Sequence, residues 1–150
     1  MEKIAQNNGA HTPVALLLAS CFFAVIAAPT ITALDAGELG AASWELGIAH
    51  PPGFPVFLQT QKIFMSLIPV GDMGLRGNFG AGIFASLTLG MLGLIARSMG
   101  VGWAPSFVGI SAVALSPCFL LHSTTIEVYS GLGLWLSIMI WLSIRFDATA

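Results

Sequence analysis

Four long stretches of the chain carry no charge, and the polar residues fall into short islands between them. The first, 14–34, is apolar throughout as far as residue 28. A helix crosses the ~30 Å of bilayer hydrocarbon with ~20 apolar residues, so this stretch spans it if the helix runs on past Pro29. The stretches 78–96, 105–121 and 131–144 are read as three further spanning helices. Pro105 suits a helix first turn, and Pro117 predicts a kink within the third span. Trp135 and Trp141 lie in the fourth. A secretory signal peptide is the rival reading of the first stretch, because small residues cluster at 24–28, but its leading segment is only weakly basic.

The segment 55–68 is helical in pattern and short. About fourteen residues at 1.5 Å each reach ~21 Å, less than the bilayer core. Gln59, Lys62 and Ser66 share one face, and Phe57, Leu58, Phe64, Met65 and Ile68 lie largely opposite, which predicts a helix lying in the membrane interface. The sequence therefore predicts an all-α polytopic membrane protein. It has about four spanning helices and a helical first extracytoplasmic loop over 35–75.

Composition agrees: 56% of residues are hydrophobic and 8% charged, against roughly 25% charged in soluble domains. A net charge of −2 leaves no basic footprint for nucleic acid. Cys21 and Cys118 each sit in an apolar run without a Cys-x-x-Cys motif, and are read as buried small apolar residues. Orientation rests on the basic residues. With Lys3, Arg97 and Arg145 on the cytoplasmic side, Lys62 and Arg76 lie outside, so the N-terminus is expected in the cytoplasm. Asp35, Glu38, Glu45, Asp72 and Glu127 then all face outward. Gly82, Ser86 and Gly90 recur at helical spacing in the second span and form a face for close helix packing, within the chain or toward other membrane subunits.

Three islands could carry chemistry. Asp35, Glu38 and Glu45 fall on one side of a helix; such a cluster could hold a divalent metal or raise one carboxylate pKa toward a general base. Asp35-x-x-Glu38 equally fits a capping box. The second island is His50-Pro-Pro-Gly-Phe-Pro55, a rigid corner where His50 could bond a phosphate oxygen or simply sit in a solvated turn. The third runs from His122 to Tyr129. Thr124-x-x-Glu127 again fits a capping box, Glu127 lies on the same side as Asp35, and Tyr129 suits the interface. Arg76 could clamp a phosphate or reach for lipid headgroups. Haem ligation by His50 and His122 is disfavoured, since neither falls inside a predicted span.

The order of motifs adds to this: Ala28-Pro-Thr30, Asp35-x-Gly-Glu38, Leu46-Gly-Ile-x-His50-Pro-Pro-Gly-Phe-Pro55, Gly71-Asp72, Arg76-x-Asn78, Ser116-Pro117 and Glu127-Val-Tyr129. From about Ala28 to Tyr129 the chain resembles the N-terminal part of a bacterial membrane family related to the protein O-mannosyltransferases, in the GT-C glycosyltransferase superfamily. The resemblance implies transfer of a sugar from a polyprenyl-phosphate carrier to a protein or lipid hydroxyl outside the bacterial inner membrane. It would make Asp35 the base or acceptor-orienting group, Glu38 its partner, Glu127 a second acid, and His50 a neighbour of the carrier phosphate. Arg76 and Tyr129 complete the candidate substrate-binding set. Two residues depart from the expected pattern: Leu34, where an aromatic residue is expected, and Glu45, an added acid. The chain is also shorter than such enzymes, so it is expected to be a truncated module. The alternative is a non-catalytic subunit docking on a larger complex through Gly82, Ser86 and Gly90. A transporter or channel is disfavoured by the absence of charge inside any span.

Overall fold

The computed structural model describes residues 11–147, and among these residues all regular structure is helical. In chain order the helices are α1 (His11–Ile26), α2 (Ala36–Glu45), α3 (Pro55–Leu67), α4 (Met73–Ser98), α5 (Trp103–Ala114), α6 (Pro117–Thr124) and α7 (Val128–Asp147). Met73–Ser98 and Val128–Phe146 are each long and apolar enough to cross a membrane. The α5–α6 pair makes a third candidate span, bent by 66°. The bend falls at Leu115–Ser116, ahead of Pro117, which lacks the N–H an unbroken helix needs. These helices make the chain an integral membrane protein.

The stretch 14–34 is not one helix. α1 stops at Ile26, and the chain runs on without helix to residue 35. Pro29 disfavours helical backbone at Ala28, and the Ala28 N–H is taken by the Thr124 carbonyl at 2.9 Å. The second span starts five residues before its expected boundary, because Asp72 caps it: the Asp72 carboxylate accepts from the Leu75 N–H at 2.8 Å. Lys3 and Glu2 lie outside the described residues.

α4 is the axis of the fold, and every other helix packs on it. Its N-terminal half carries glycine at 74, 77, 80 and 82, and each meets a different neighbour. A Cβ on Gly74 would strike the Ile31 backbone, one on Gly77 Ile126 and Met65, one on Gly80 Gln61 and Phe64, and one on Gly82 Phe23. Bare backbone on several sides of one helix lets α1, the α1–α2 connection, α3 and the α6–α7 corner all approach closely. The Gly82/Ser86 face is therefore used inside the chain. Phe23 of α1 is fully buried there, and Ser86 is 1% exposed. Gly82 and Ser86 are thus both covered within this chain.

α3 turns Phe57, Leu58, Gln61 and Met65 inward against α2 and α4. Its outer face mixes Gln59 and Ser66 with exposed Val56, Ile63 and Leu67, so the simple polar and apolar division expected of it does not hold. Burying Gln61 explains the difference: its side-chain amide donates to the Gly77 carbonyl at 3.3 Å, and that amide fills space which glycine leaves open. Cys21 and Cys118 are exposed rather than buried. In a bilayer protein the outward faces are apolar too, so an apolar neighbourhood in sequence does not mark the interior.

The glycine pattern distinguishes two substitutions on the same helix. Gly74→Ala forces Cβ against the Ile31 backbone and should lower stability by about 1–3 kcal/mol, the usual range for overpacking. Gly93→Ala meets only Ile110 Cδ1 at 3.6 Å and should be neutral or stabilise by up to about 1 kcal/mol through helix propensity. Thermal unfolding of the detergent-solubilised protein compares the two.

Candidate functional site

Among the described residues the acids other than Asp147 gather at one end of the bundle, where α1 ends, α4 begins and α6 turns into α7. Arg97 and Arg145 lie in the last turns of α4 and α7, at the other end. α2 buries Ala36, Leu39, Gly40 and Ser43, the i, i+3, i+4, i+7 face of a helix, and Ala42 at its margin. That leaves Asp35, Glu38 and Glu45 outside the packed face.

Neither expected capping box forms. Asp35 precedes α2 with helical backbone (φ −75°, ψ −12°), and its side chain makes no capping hydrogen bond. A capping side chain reaches the helix N–H groups from extended backbone, and helical backbone at Asp35 turns the carboxylate away. Glu38, the partner in the supposed box, is engaged elsewhere. One of its oxygens accepts from the His50 backbone N–H at 2.6 Å, and the other lies 3.1 Å from His50 Nδ1. These hydrogen bonds, backbone first, hold the Glu38 carboxyl below the usual glutamate range. Thr124 lies in the last turn of α6, where its hydroxyl donates to the Leu120 carbonyl at 2.9 Å. Glu127 is therefore not half of a box.

Glu38 thus anchors the corner that carries His50. The His50 carbonyl accepts from the Gly53 N–H at 2.9 Å, closing a turn in which Gly53 sits at φ 87°. The His50 ring meets Phe54 edge-on at 5.4 Å. Among the described residues the three non-glycine positions with positive φ all border this region: Leu34 beside Asp35, Leu46 ending α2, and Phe54 opening α3. Such backbone is costly for residues with a Cβ, and it concentrates where a site imposes geometry. The far end of α2 is held by Lys62, whose ammonium donates to the Trp44 carbonyl at 2.6 Å and lies 3.6 Å from the Trp44 ring centroid.

Glu127 faces the same region from the α6–α7 corner. It is 8% exposed. Burial pushes its carboxyl above the usual glutamate range, and it feels the charges of His122, Asp35 and His50. Residues from three separate islands therefore share one electrostatic neighbourhood. His122 lies in α6 with its ring 4.6 Å from that of Tyr129, and its buried Nδ1 has no hydrogen-bond partner. Tyr129 is exposed on its other side.

Arg76 stands apart. Its Nε donates to the Gly71 carbonyl at 3.2 Å and its charge bears on Asp72, so it braces the start of α4. A divalent cation at Asp35 and Glu38 would have to share the Glu38 carboxylate with His50. Both Glu38 oxygens are occupied by His50, and no group of three or more His, Cys, Asp or Glu side chains converges among the described residues.

Asp72 and Asn78 gain roles that their sequence neighbourhood does not suggest. The Thr30 hydroxyl donates to Asp72 at 2.6 Å, and with the Leu75 N–H it holds that carboxyl below the usual range. Asn78 Nδ2 donates to the carbonyls of Ala28 (2.8 Å) and Thr30 (3.0 Å). The one available signal is Asp72 standing three residues before Leu75 at a span's start, which is N-cap spacing.

Comparison with known proteins bears on the same residues. The family model of the protein O-mannosyl-transferase TMEM260 N-terminal domain matches residues 35–150, from Asp35 onward. The mouse protein O-mannosyl-transferase TMEM260 is 31% identical over 117 residues, which are 77% of this chain and 17% of the mouse protein. The Dictyostelium discoideum protein of the same description is 38% identical over 58 residues, 37% of this chain and 7% of that protein. The chain thus spans less than a fifth of the length of these relatives. No solved structure matches it. A match that covers Asp35, the His50 corner and Glu127 together identifies the chain as a member of the protein O-mannosyl-transferase TMEM260 N-terminal domain family.

Proposed function

We propose that this chain forms the acidic end of a glycosyltransferase site that passes a sugar from a polyprenyl-phosphate carrier to a hydroxyl on the extracytoplasmic face of its membrane. The relatives are named as protein O-mannosyl-transferases, which favours mannose as the sugar and a protein as the acceptor. The observation that carries the proposal is the packing of the α6–α7 corner on α2, where Ile126, next to Glu127, would lie 3.3 Å from a Cβ on Gly40; Glu127 is there within electrostatic reach of Asp35 and His50.

The step is attack of the acceptor oxygen on the anomeric carbon. The bond from that carbon to the carrier phosphate breaks, and the phosphate leaves with the electron pair. The acceptor proton must go to a base. Glu38 is unsuited, because hydrogen bonds from His50 stabilise its ionised form and weaken it as a base. Asp35 is exposed and makes no capping bond, so its carboxylate is free to orient or deprotonate the acceptor. Burial makes Glu127 a stronger base than an ordinary glutamate, with a pKa nearer neutrality. Glu38 acts on the site through His50, whose backbone and ring it holds in place for the proposed phosphate contact.

Asp35→Asn should lower sugar transfer by about 10²–10⁴-fold, the usual worth of a positioned acid or base, with membrane insertion unchanged. Transfer at the parent rate would remove Asp35 from the mechanism.

Glu127→Gln should lower transfer similarly, and its effect on stability has a sign fixed by linkage. The folded pKa of Glu127 is raised, so its contribution to stability is full below the ordinary value of 4.5 and is lost as pH rises through the folded pKa. The glutamine variant should therefore melt at a higher temperature than the parent near pH 7.5, and the difference should close by about pH 4. Melting curves across that range give the answer without any activity assay.

A further inference from the structure

We infer that Asn78 is a positioning residue for Asp35, acting through a clamp between the first two turns of α4 and the Ala28–Ile31 segment. The inference rests on the role proposed for Asp35 above. Between Ile26 and Ala36 the chain has no helix to hold it, and a short connection at a membrane surface would ordinarily be loose. Here three separate contacts from α4 and its cap bind it. The Asp72 carboxylate takes the Thr30 hydroxyl at 2.6 Å. Gly74 lies so close to Ile31 that a Cβ would strike the Ile31 N atom and the Thr30 carbonyl carbon. Asn78 bridges the carbonyls of Ala28 and Thr30 at 2.8 and 3.0 Å.

The Asn78 contact is the deepest of the three. The residue is fully buried. Its amide has one orientation available, since the reversed one would put oxygen against two carbonyl oxygens. The chosen orientation leaves Oδ1 buried without a partner. Leaving a buried acceptor unsatisfied is unfavourable, so the two donated bonds are what keep an asparagine here. Hydrogen bonds from a rigid helix to two carbonyls of one segment fix both its distance and its rotation. Asp35 follows five residues after Thr30, through Leu34 with its positive φ. The backbone of Asp35 is thus held from two sides, by α2, where its carbonyl accepts from the Leu39 N–H at 2.8 Å, and by the segment that α4 clamps, while its side chain makes no capping bond.

The test measures geometry and chemistry separately, with the full-length protein in its membrane. In a background of Cys21→Ala and Cys118→Ala, spin labels at Leu34→Cys and Met99→Cys report the distance from the neighbour of Asp35 to the far end of α4. The parent should give one narrow distribution. Asn78→Leu removes both donors and keeps the branching and number of side-chain heavy atoms, and it should broaden or shift that distribution. Transfer per folded molecule should fall about ten-fold in kcat, with KM for the lipid-linked sugar within about two-fold of the parent. A merely structural role would lower the yield of folded protein and leave kcat per folded molecule unchanged. Thr30→Val, which removes only the hydroxyl bound to Asp72, should broaden the distribution as well, and it decides the question if Asn78→Leu does not fold. An unchanged distribution in a folded variant overturns the clamp. A broadened distribution with full transfer upholds the clamp and overturns the role proposed for Asp35.

Discussion

The close approach of other backbone and side chains to the glycine-lined half of α4 is the constraint from which the rest of this structure follows. Within lipid there is no hydrophobic drive to press one apolar helix against another, and association depends on contact distance and on polar groups that find partners. Gly74, Gly77, Gly80 and Gly82 supply that distance on several sides of one helix. The spacing is not a single stripe for one partner. Gly82 receives α1, Gly80 receives α3, Gly77 receives the α6–α7 corner, and Gly74 receives the α1–α2 connection. One helix thereby gathers residues 23, 31, 61, 65 and 126, which are scattered along the sequence, and brings the loop that bears Asp35 to the turn that bears Glu127.

Polar groups complete what the glycines permit. Polar links between elements cluster at the same end: Gln61 to the Gly77 carbonyl, Asn78 to Ala28 and Thr30, Thr30 to Asp72, and the Ala28 N–H to Thr124. The far half of α4 differs. Ser86, Thr88 and Ser98 bond their hydroxyls back to carbonyls of the same helix, and α5 buries no residue at all. Order imposed by hydrogen bonds between elements is thus concentrated at the acidic end, where α2 and α3 would otherwise lie loosely on a membrane surface.

Much of the architecture was legible because the bilayer writes its demands into composition. Uncharged stretches, Pro117 as a break and Pro55 as a helix start all follow from local chemistry. What stayed hidden depends on partners distant in sequence. Apolar continuity suggested a span to residue 34, but α1 ends where the Ala28 N–H turns to Thr124, almost a hundred residues on. Spacing suggested that Glu38 caps its own helix, and the structure gives it to His50. Gln61 is polar in type, yet it is fully buried because Gly80 leaves it room. The site shows the same division. Motif and side of the membrane pointed to Asp35, Glu38, His50 and Glu127; Glu38 bonds His50, and Asp35 and His50 lie within electrostatic reach of Glu127. Arg76 was expected with them and is held instead by Gly71. The role of Asn78 was not legible, because an asparagine that bridges two backbone carbonyls leaves no trace in its own neighbours.

The carboxylates of this end divide by environment, and the division separates scaffold from chemistry. Glu38 and Asp72 are held in their ionised form by hydrogen bonds from groups that belong to the fold. A carboxylate so engaged is a poor proton acceptor and a good anchor. Glu127 is displaced the other way, chiefly by burial, which makes it a better acceptor and a burden on stability near neutral pH. A buried glutamate costs stability near neutral pH that glutamine would spare, which accords with the proton-accepting role proposed for Glu127. Paired acids pushed in opposite directions by their surroundings are how one set of side chains can both hold a site together and move a proton within it. In this domain the anchors are fixed to the α1–α4 and α2–His50 joints, and the displaced acid stands at the α6–α7 corner that Gly77 admits.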